Sequence, residues 1–199
     1  MKLFGNKNKK DYEVALLSDS LKEAIRTFII VKSIRILRKQ TQENHSMLIN
    51  ITYFKYPQNV LKILVNQYTK QLQDACSNFA DLEKEIALRD PHIRDIHETF
   101  KKMFIEKDME FEEEFSDILP HLRAGSVVEV LAINGDSNDS LNYDEYEYPN
   151  GRTLIAIGGH SLARGFTLQG LSVSYIARNT STSDTLLQMA RWFGYRPFY

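Results

Sequence analysis

Cysteine is nearly absent from this chain. Cys76 is the only one in 199 residues, so no internal disulfide can form and the composition fits a reducing compartment. No apolar run reaches the roughly 18 residues of a membrane-spanning helix. The polar, basic start, Met1 to Lys10, leads into no hydrophobic core of a signal peptide. We therefore expect a soluble, cytoplasmic protein with no membrane contact, in which glycosylation-type triplets such as Asn50-Ile-Thr52 are idle. The net charge is only −1, so any surface for nucleic acid must be local. There is no GxxxxGK[ST] loop to cradle phosphates and no GxGxxG turn for a dinucleotide. No PD…(D/E)xK arrangement or histidine–metal cluster stands out as a nuclease centre. His92 and His97 are five apart, off a common helical face, and no metal ligand set is expected.

Lysine is missing from one long stretch. From Gly151 to Tyr199 the basic residues are Arg152, Arg164, Arg178, Arg191 and Arg196, against the single acid Asp184. That segment carries +4, and the first 150 residues carry −5. Arginines on glycine-rich turns suit a site for phosphate or another planar anion. Leu154-Ile-Ala-Ile157 before Gly158-Gly159 reads as a strand buried on both faces of a parallel sheet. Ligands of open α/β sheets gather at the carboxyl ends of such strands. His160 to Gly170 forms the loop, with Gly165 and Gly170 able to take positive φ. Leu171 to Arg178 reads as the next strand. A helix then carries Asp184, Gln188 and Arg191 within about 60° of one another, opposite Leu186, Met189, Ala190 and Phe193, and Gly194 ends it. Its polar stripe is either a functional surface or a solvent-facing ion pair.

Gly159-His-Ser-Leu-Ala-Arg-Gly-Phe-Thr167 resembles motif V of superfamily II helicases, and Gln188-Met-Ala-Arg191-Trp-Phe-Gly-Tyr-Arg196 resembles their motif VI. The wording is closer still to the Z-one domain proteins, an endonuclease family, in which a GG…L-RG-TL-GL run precedes D-TL-QM-RWFGYR. Leu21-Lys-Glu-Ala-Ile-Arg26 and Ser46-Met-Leu-Ile49 are weaker echoes upstream. Two departures stand out. Thr167 replaces the usual helicase aspartate, and Arg191 and Arg196 follow Gln188 by three and eight residues, not at the helicase spacing.

The resemblance implies an α/β, RecA-like helicase C-terminal lobe, a three-layer sandwich on a parallel sheet with a helical, acidic insertion. It implies catalytic roles for Arg191 or Arg196, one of them an arginine finger, and for Gln188. It also implies nucleotide or nucleic-acid contacts at Gly159, Ser161, Arg164, Gly165, Thr167 and Asp184. ATP with Mg would be bound by the intact protein and not by this chain alone, since the N-terminal ATP-binding lobe is missing. DNA or another nucleic acid would be the partner, with restriction or phage-defence proteins beside it. The alternatives are a non-catalytic nucleic-acid or protein-binding module and a stand-alone dinucleotide enzyme.

Along the chain we expect a mobile basic tail over 1–12, the first part of the lobe over 13–73, a helical insertion over 74–119, and the remainder over 120–199, truncated after the motif VI-like segment. Ser20-Leu-Lys-Glu23 has the form of a capping box before a largely buried helix to about Lys39. Lys32, Arg35, Arg38 and Lys39 on one side of that helix are a candidate phosphate-backbone surface, or simply solvated charges or snorkelling stems. Met47 to Tyr53 reads as a strand and Asn59 to Leu72 as a helix after Pro57. Glu106 to Asp117 holds seven acids and one lysine, and a solvated helix face is the plain reading. Pro91 should start a helix and Pro120 follow one. Val127 to Ile133 reads as a strand. Asp144-Glu145 looks like a Walker B pair but follows no buried apolar strand.

Overall fold

Strands that are apolar on both faces can be satisfied only inside a sheet covered on both sides. In the computed structural model, which describes residues 16–50, 55–106, 111–133, 141–144, 146–158 and 168–176, four strands pair, two of them buried throughout or nearly so. They are β1 (His45–Asn50), β2 (Glu129–Ile133), β3 (Thr153–Gly158) and β4 (Leu171–Ile176). Every pairing is parallel and the order is β2-β3-β1-β4, so this is an α/β fold. All of β1 is buried, as are Leu154 to Gly158 of β3. These are the two inner strands, and their runs read Met-Leu-Ile and Leu-Ile-Ala-Ile. Each fully buried leucine or isoleucine contributes about 1.5–3 kcal/mol.

The described residues form two compact units, one over 43–63 and 129–176, the other over 16–42 and 64–128. The chain passes from the sheet unit to the helical unit inside α2 (Lys55–Phe79). α2 starts earlier than its periodicity suggests, because Pro57 falls in the first turn, where a backbone N–H has no helical partner to lose. Its buried stripe includes Leu61, Val65, Tyr68 and Leu72 and continues through Ala75 and Cys76.

In the helical unit, α1 (Asp19–Leu37) is capped by Ser18 and not by Ser20. Ser18 is extended, and its hydroxyl accepts from Leu21 N–H at 3.2 Å, whereas Ser20 already lies inside the helix. Leu21, Ile25, Phe28, Ile29 and Ile30 are each 1% exposed or less. The basic side of α1 is open only at Arg38 and Lys39. Lys32 and Arg35 are each 5% exposed, and Arg38 grips Glu113 with two guanidinium nitrogens, Nη2 to Oε2 at 3.0 Å. Two short helices follow α2, α3 (Lys84–Ala87) and α4 (Pro91–Phe100). Asp90 caps α4 through His92 and Ile93 N–H, with Pro91 in its first turn, as the sequence suggests. The helical path then widens to a π turn over Lys101–Ile105. Phe100, Phe104, Phe111 and Phe115 cluster with centroids 5.1–5.8 Å apart, which seats the described part of the acidic stretch on an aromatic floor. Beyond it lie α5 (Phe115–Ile118), a single 3₁₀ turn containing Pro120, and α6 (Leu122–Gly125). Gly125 is required by proximity: a Cβ there would stand 2.1 Å from Ser33 Oγ. Among the described residues no helix is long and apolar enough to cross a membrane.

Candidate functional site

A parallel sheet directs all its strand ends one way, so the carboxyl rim collects the turns that can meet a ligand. Here Ile133, Gly158, Asn50 and Ile176 end β2, β3, β1 and β4 in that spatial order. The chain leaving β1 returns to β2, on the β3 side. The chain leaving β3 goes to β4, on the other side. The β1–β3 boundary is therefore the topological switch point, the place where open α/β sheets bind.

Gly158 sits on that boundary, in register with Asn50, and feeds directly into the arginine–glycine segment. Gly159, Ser161, Arg164, Gly165 and Thr167 lie outside the described residues, and so do Asp184, Gln188, Arg191 and Arg196. The structure thus fixes where the first group leaves the sheet but describes neither group. The chain is described again at Leu168, and Gly170 takes φ +68° as its sequence suggests. Asn44 lies against it, so that a Cβ on Gly170 would stand 1.8 Å from the Asn44 carbonyl oxygen.

One arginine of the lysine-free stretch belongs elsewhere. Arg152, 5% exposed, lies at the amino end of β3 and is a structural strut, not an anion ligand. Its Nε and Nη2 donate to Glu129 at 2.8 and 2.9 Å, and its Nη1 donates to the Asn142 carbonyl at 2.6 Å. The Tyr148 ring stacks 4.7 Å from its guanidinium carbon. Burial works against the charge, but the hydrogen bond and field of Glu129 outweigh it and hold the guanidinium above the ordinary arginine range. The segment's excess charge available to a ligand is correspondingly smaller than its composition suggests.

The acidic, tyrosine-bearing loop is anchored at the same amino end. Tyr143 Oη lies 3.0 Å from Ser46 Oγ at the start of β1, and Ser46 Oγ donates to the Gln169 carbonyl at 2.6 Å. Burial pushes the Tyr143 phenol above its usual range. Asp144 accepts from Tyr146 N–H at 2.8 Å, closing a local turn. A metal-holding Walker B acid would stand at a strand's carboxyl end, so this position agrees with discounting the Asp144-Glu145 pair.

Sequence reasoning passed over the most unusual polar group in the sheet. Asn50 is 0% exposed, and neither Oδ1 nor Nδ2 has a hydrogen-bond partner among the described residues. Its burial also removes it from any glycosylating enzyme. Ser174 Oγ on β4 is likewise buried and unpartnered. Each orphaned atom costs about 1–3 kcal/mol of desolvation. The available signal was an asparagine closing an otherwise apolar strand, Met47-Leu-Ile-Asn50.

No match was found among curated proteins or among solved structures. A family model, Z1 domain, matches residues 20–199, which takes in both the sheet and the helices between β1 and β2. With nearly the whole length matched, the chain belongs to the Z1 domain family.

Proposed function

We propose that this chain is the arginine-bearing, RecA-like lobe of a two-lobed, nucleic-acid-dependent ATPase or endonuclease acting in restriction or phage defence. The observation that carries the reading is the switch point between β1 and β3, from which Gly158 leads straight into the motif V-like segment. RecA-like lobes are built on parallel sheets, and the all-parallel pairing here supports that assignment. The likeness of Gly159–Thr167 and Gln188–Arg196 to helicase motifs V and VI supplies the link to ATPase chemistry.

In this reading a lobe outside the chain holds ATP and Mg, and ATP supplies the phosphoryl group to be cleaved. The backbone N–H groups of Gly159 to Thr167, with Ser161 and Arg164, face phosphates of the nucleotide or strand. Gln188 hydrogen-bonds beside the nucleotide, and Asp184 orients Arg191. Arg191 or Arg196 stabilises charge developing on the transferred group, an effect worth about 10³–10⁵ in rate. The purified chain should bind oligonucleotides with an affinity that falls steeply with salt and should hydrolyse ATP negligibly. Arg191→Ala and Arg196→Ala should each weaken binding of an oligonucleotide and of inorganic polyphosphate. Robust unaided ATP turnover would overturn the two-lobed reading. Salt-sensitive binding indifferent to both substitutions would favour a non-catalytic binding module.

A further inference from the structure

We infer that Asn50 and Ser174 form a neutral polar subsite on the carboxyl rim of the sheet, for the sugar and base of a nucleoside unit rather than its phosphates. This deepens the nucleic-acid reading above and rests on it for the identity of the ligand. The placement follows from the register. Asn50 pairs with Ile176 and Leu48 with Ser174. Alternate residues of a strand share a face, and side chains in register on neighbouring strands point the same way. Asn50 and Ser174 therefore lie on one face, a diagonal step apart. Interstrand spacing and strand rise put that step at roughly 8 Å between Cα atoms.

Between Ser46 at its amino end and Asn50, that face is apolar. Leu48, Leu131, Ile133, Leu154 and Ala156 form one buried cluster on it. Three unpartnered polar atoms, Asn50 Oδ1, Asn50 Nδ2 and Ser174 Oγ, interrupt the cluster only toward the carboxyl end. Gly158, level with Asn50 on β3, contributes no side chain there. A group buried at this cost with no internal partner is suited to a partner that arrives. An amide offers two donors and an acceptor, and a hydroxyl can do either. That set matches sugar hydroxyls and base edges, which mix donors and acceptors. Phosphate oxygens only accept and call for cationic partners. The arginine segment and this pair thus divide a nucleotide unit by chemistry.

The test uses the full chain with four probes: a single-stranded DNA oligonucleotide, its RNA counterpart, ATP and inorganic polyphosphate. Asn50→Leu removes both orphaned atoms while keeping the volume, and Ser174→Ala removes the third. Loss of unpaired polar atoms should leave the thermal midpoint unchanged or higher. Affinity for an oligonucleotide should fall about tenfold with Asn50→Leu and a few-fold with Ser174→Ala, as for lost neutral hydrogen bonds. Polyphosphate binding should not change. A loss confined to the strands identifies a nucleic-acid unit, and a loss confined to ATP identifies a free nucleotide. Either supports the subsite.

A lowered midpoint with unchanged affinities would overturn it, leaving Asn50 a structural residue satisfied by water. An equal loss on polyphosphate, or no binding of strand or ATP by the unaltered chain, would overturn it too. Should Asn50→Leu not fold, Ser174→Ala alone decides by the same readouts. If Arg191→Ala and Arg196→Ala change nothing while Asn50→Leu still weakens the strand, the arginine reading falls and the subsite stands. The reverse pattern removes the subsite and leaves that reading intact.

Discussion

Replacing Arg152 tests whether a composition signal has been assigned to the right chemistry. Its guanidinium makes two bonds to Glu129 and one to the Asn142 carbonyl, and stacks on Tyr148. Removing one partner of a fully buried ion pair costs about 3–5 kcal/mol. The Glu129 side chain is 42% exposed, so water can take over part of the carboxylate's solvation, and that figure must be discounted. The Asn142 carbonyl loses a charged donor, which alone is worth about 1.5–3 kcal/mol. Together these place Arg152→Ala at about 2–4 kcal/mol of lost stability, and Arg152→Lys at roughly half, because lysine keeps the charge but not the fork. Equilibrium urea unfolding of both variants, with Glu129→Gln and the double variant to complete a cycle, reads these values. Oligonucleotide affinity, measured below the unfolding transition, should be unaltered. A stability within about 0.5 kcal/mol of the parent, coupled with lost binding, would refute the strut and return Arg152 to the anion site.

Three further outcomes follow from the packing. Gly170→Ala must put a Cβ at φ +68° and 1.8 Å from the Asn44 carbonyl, so it should cost more than the about 1–2 kcal/mol of a left-handed alanine and lower the thermal midpoint sharply; a midpoint equal to the parent's would contradict the close approach. Cys76 is buried and its thiol is pushed up to about 12, so a thiol reagent at mildly alkaline pH should label it only after denaturation; rapid labelling of the native chain would disprove that burial. The thiol ionises first in the unfolded chain, so its contribution to stability is complete below the ordinary thiol range and is lost as pH rises toward 12. His97 packs against Phe115 at 4.6 Å, and burial, then Lys101 and Lys84, lower its pKa against the opposing pull of Glu98. Its contribution is present above the unfolded histidine pKa and lost as pH falls through the depressed folded value, so His97→Gln should flatten the acid limb of stability against pH; an unchanged limb would exclude His97 as its source.

Much of the architecture was legible locally. The two-sided apolar run at Leu154-Ile157 announced an inner parallel strand, and Pro91 after Asp90 announced a helix start. Local pattern misled where two residues competed for one role. Ser18 and Ser20 both stand near the start of the first helix, and only the backbone conformation at Ser18 selects it as the cap. The basic side of α1 stayed open between readings because periodicity reports a face but not what covers it. In the fold Lys32 and Arg35 are buried, and Arg38 meets Glu113 from 75 residues away.

By itself the sequence determined the class of the fold, the family and the entry of an arginine–glycine segment at a strand's carboxyl end. All three are written in contiguous residues and their spacing. Tertiary structure alone decided that β1 lies between β3 and β4, that Arg152 braces Glu129, and that Asn50 and Ser174 share a face with no bonding partner among the described residues. The physical reason is that strand order and register bring together residues more than a hundred positions apart, and whether a polar atom is satisfied depends on those neighbours.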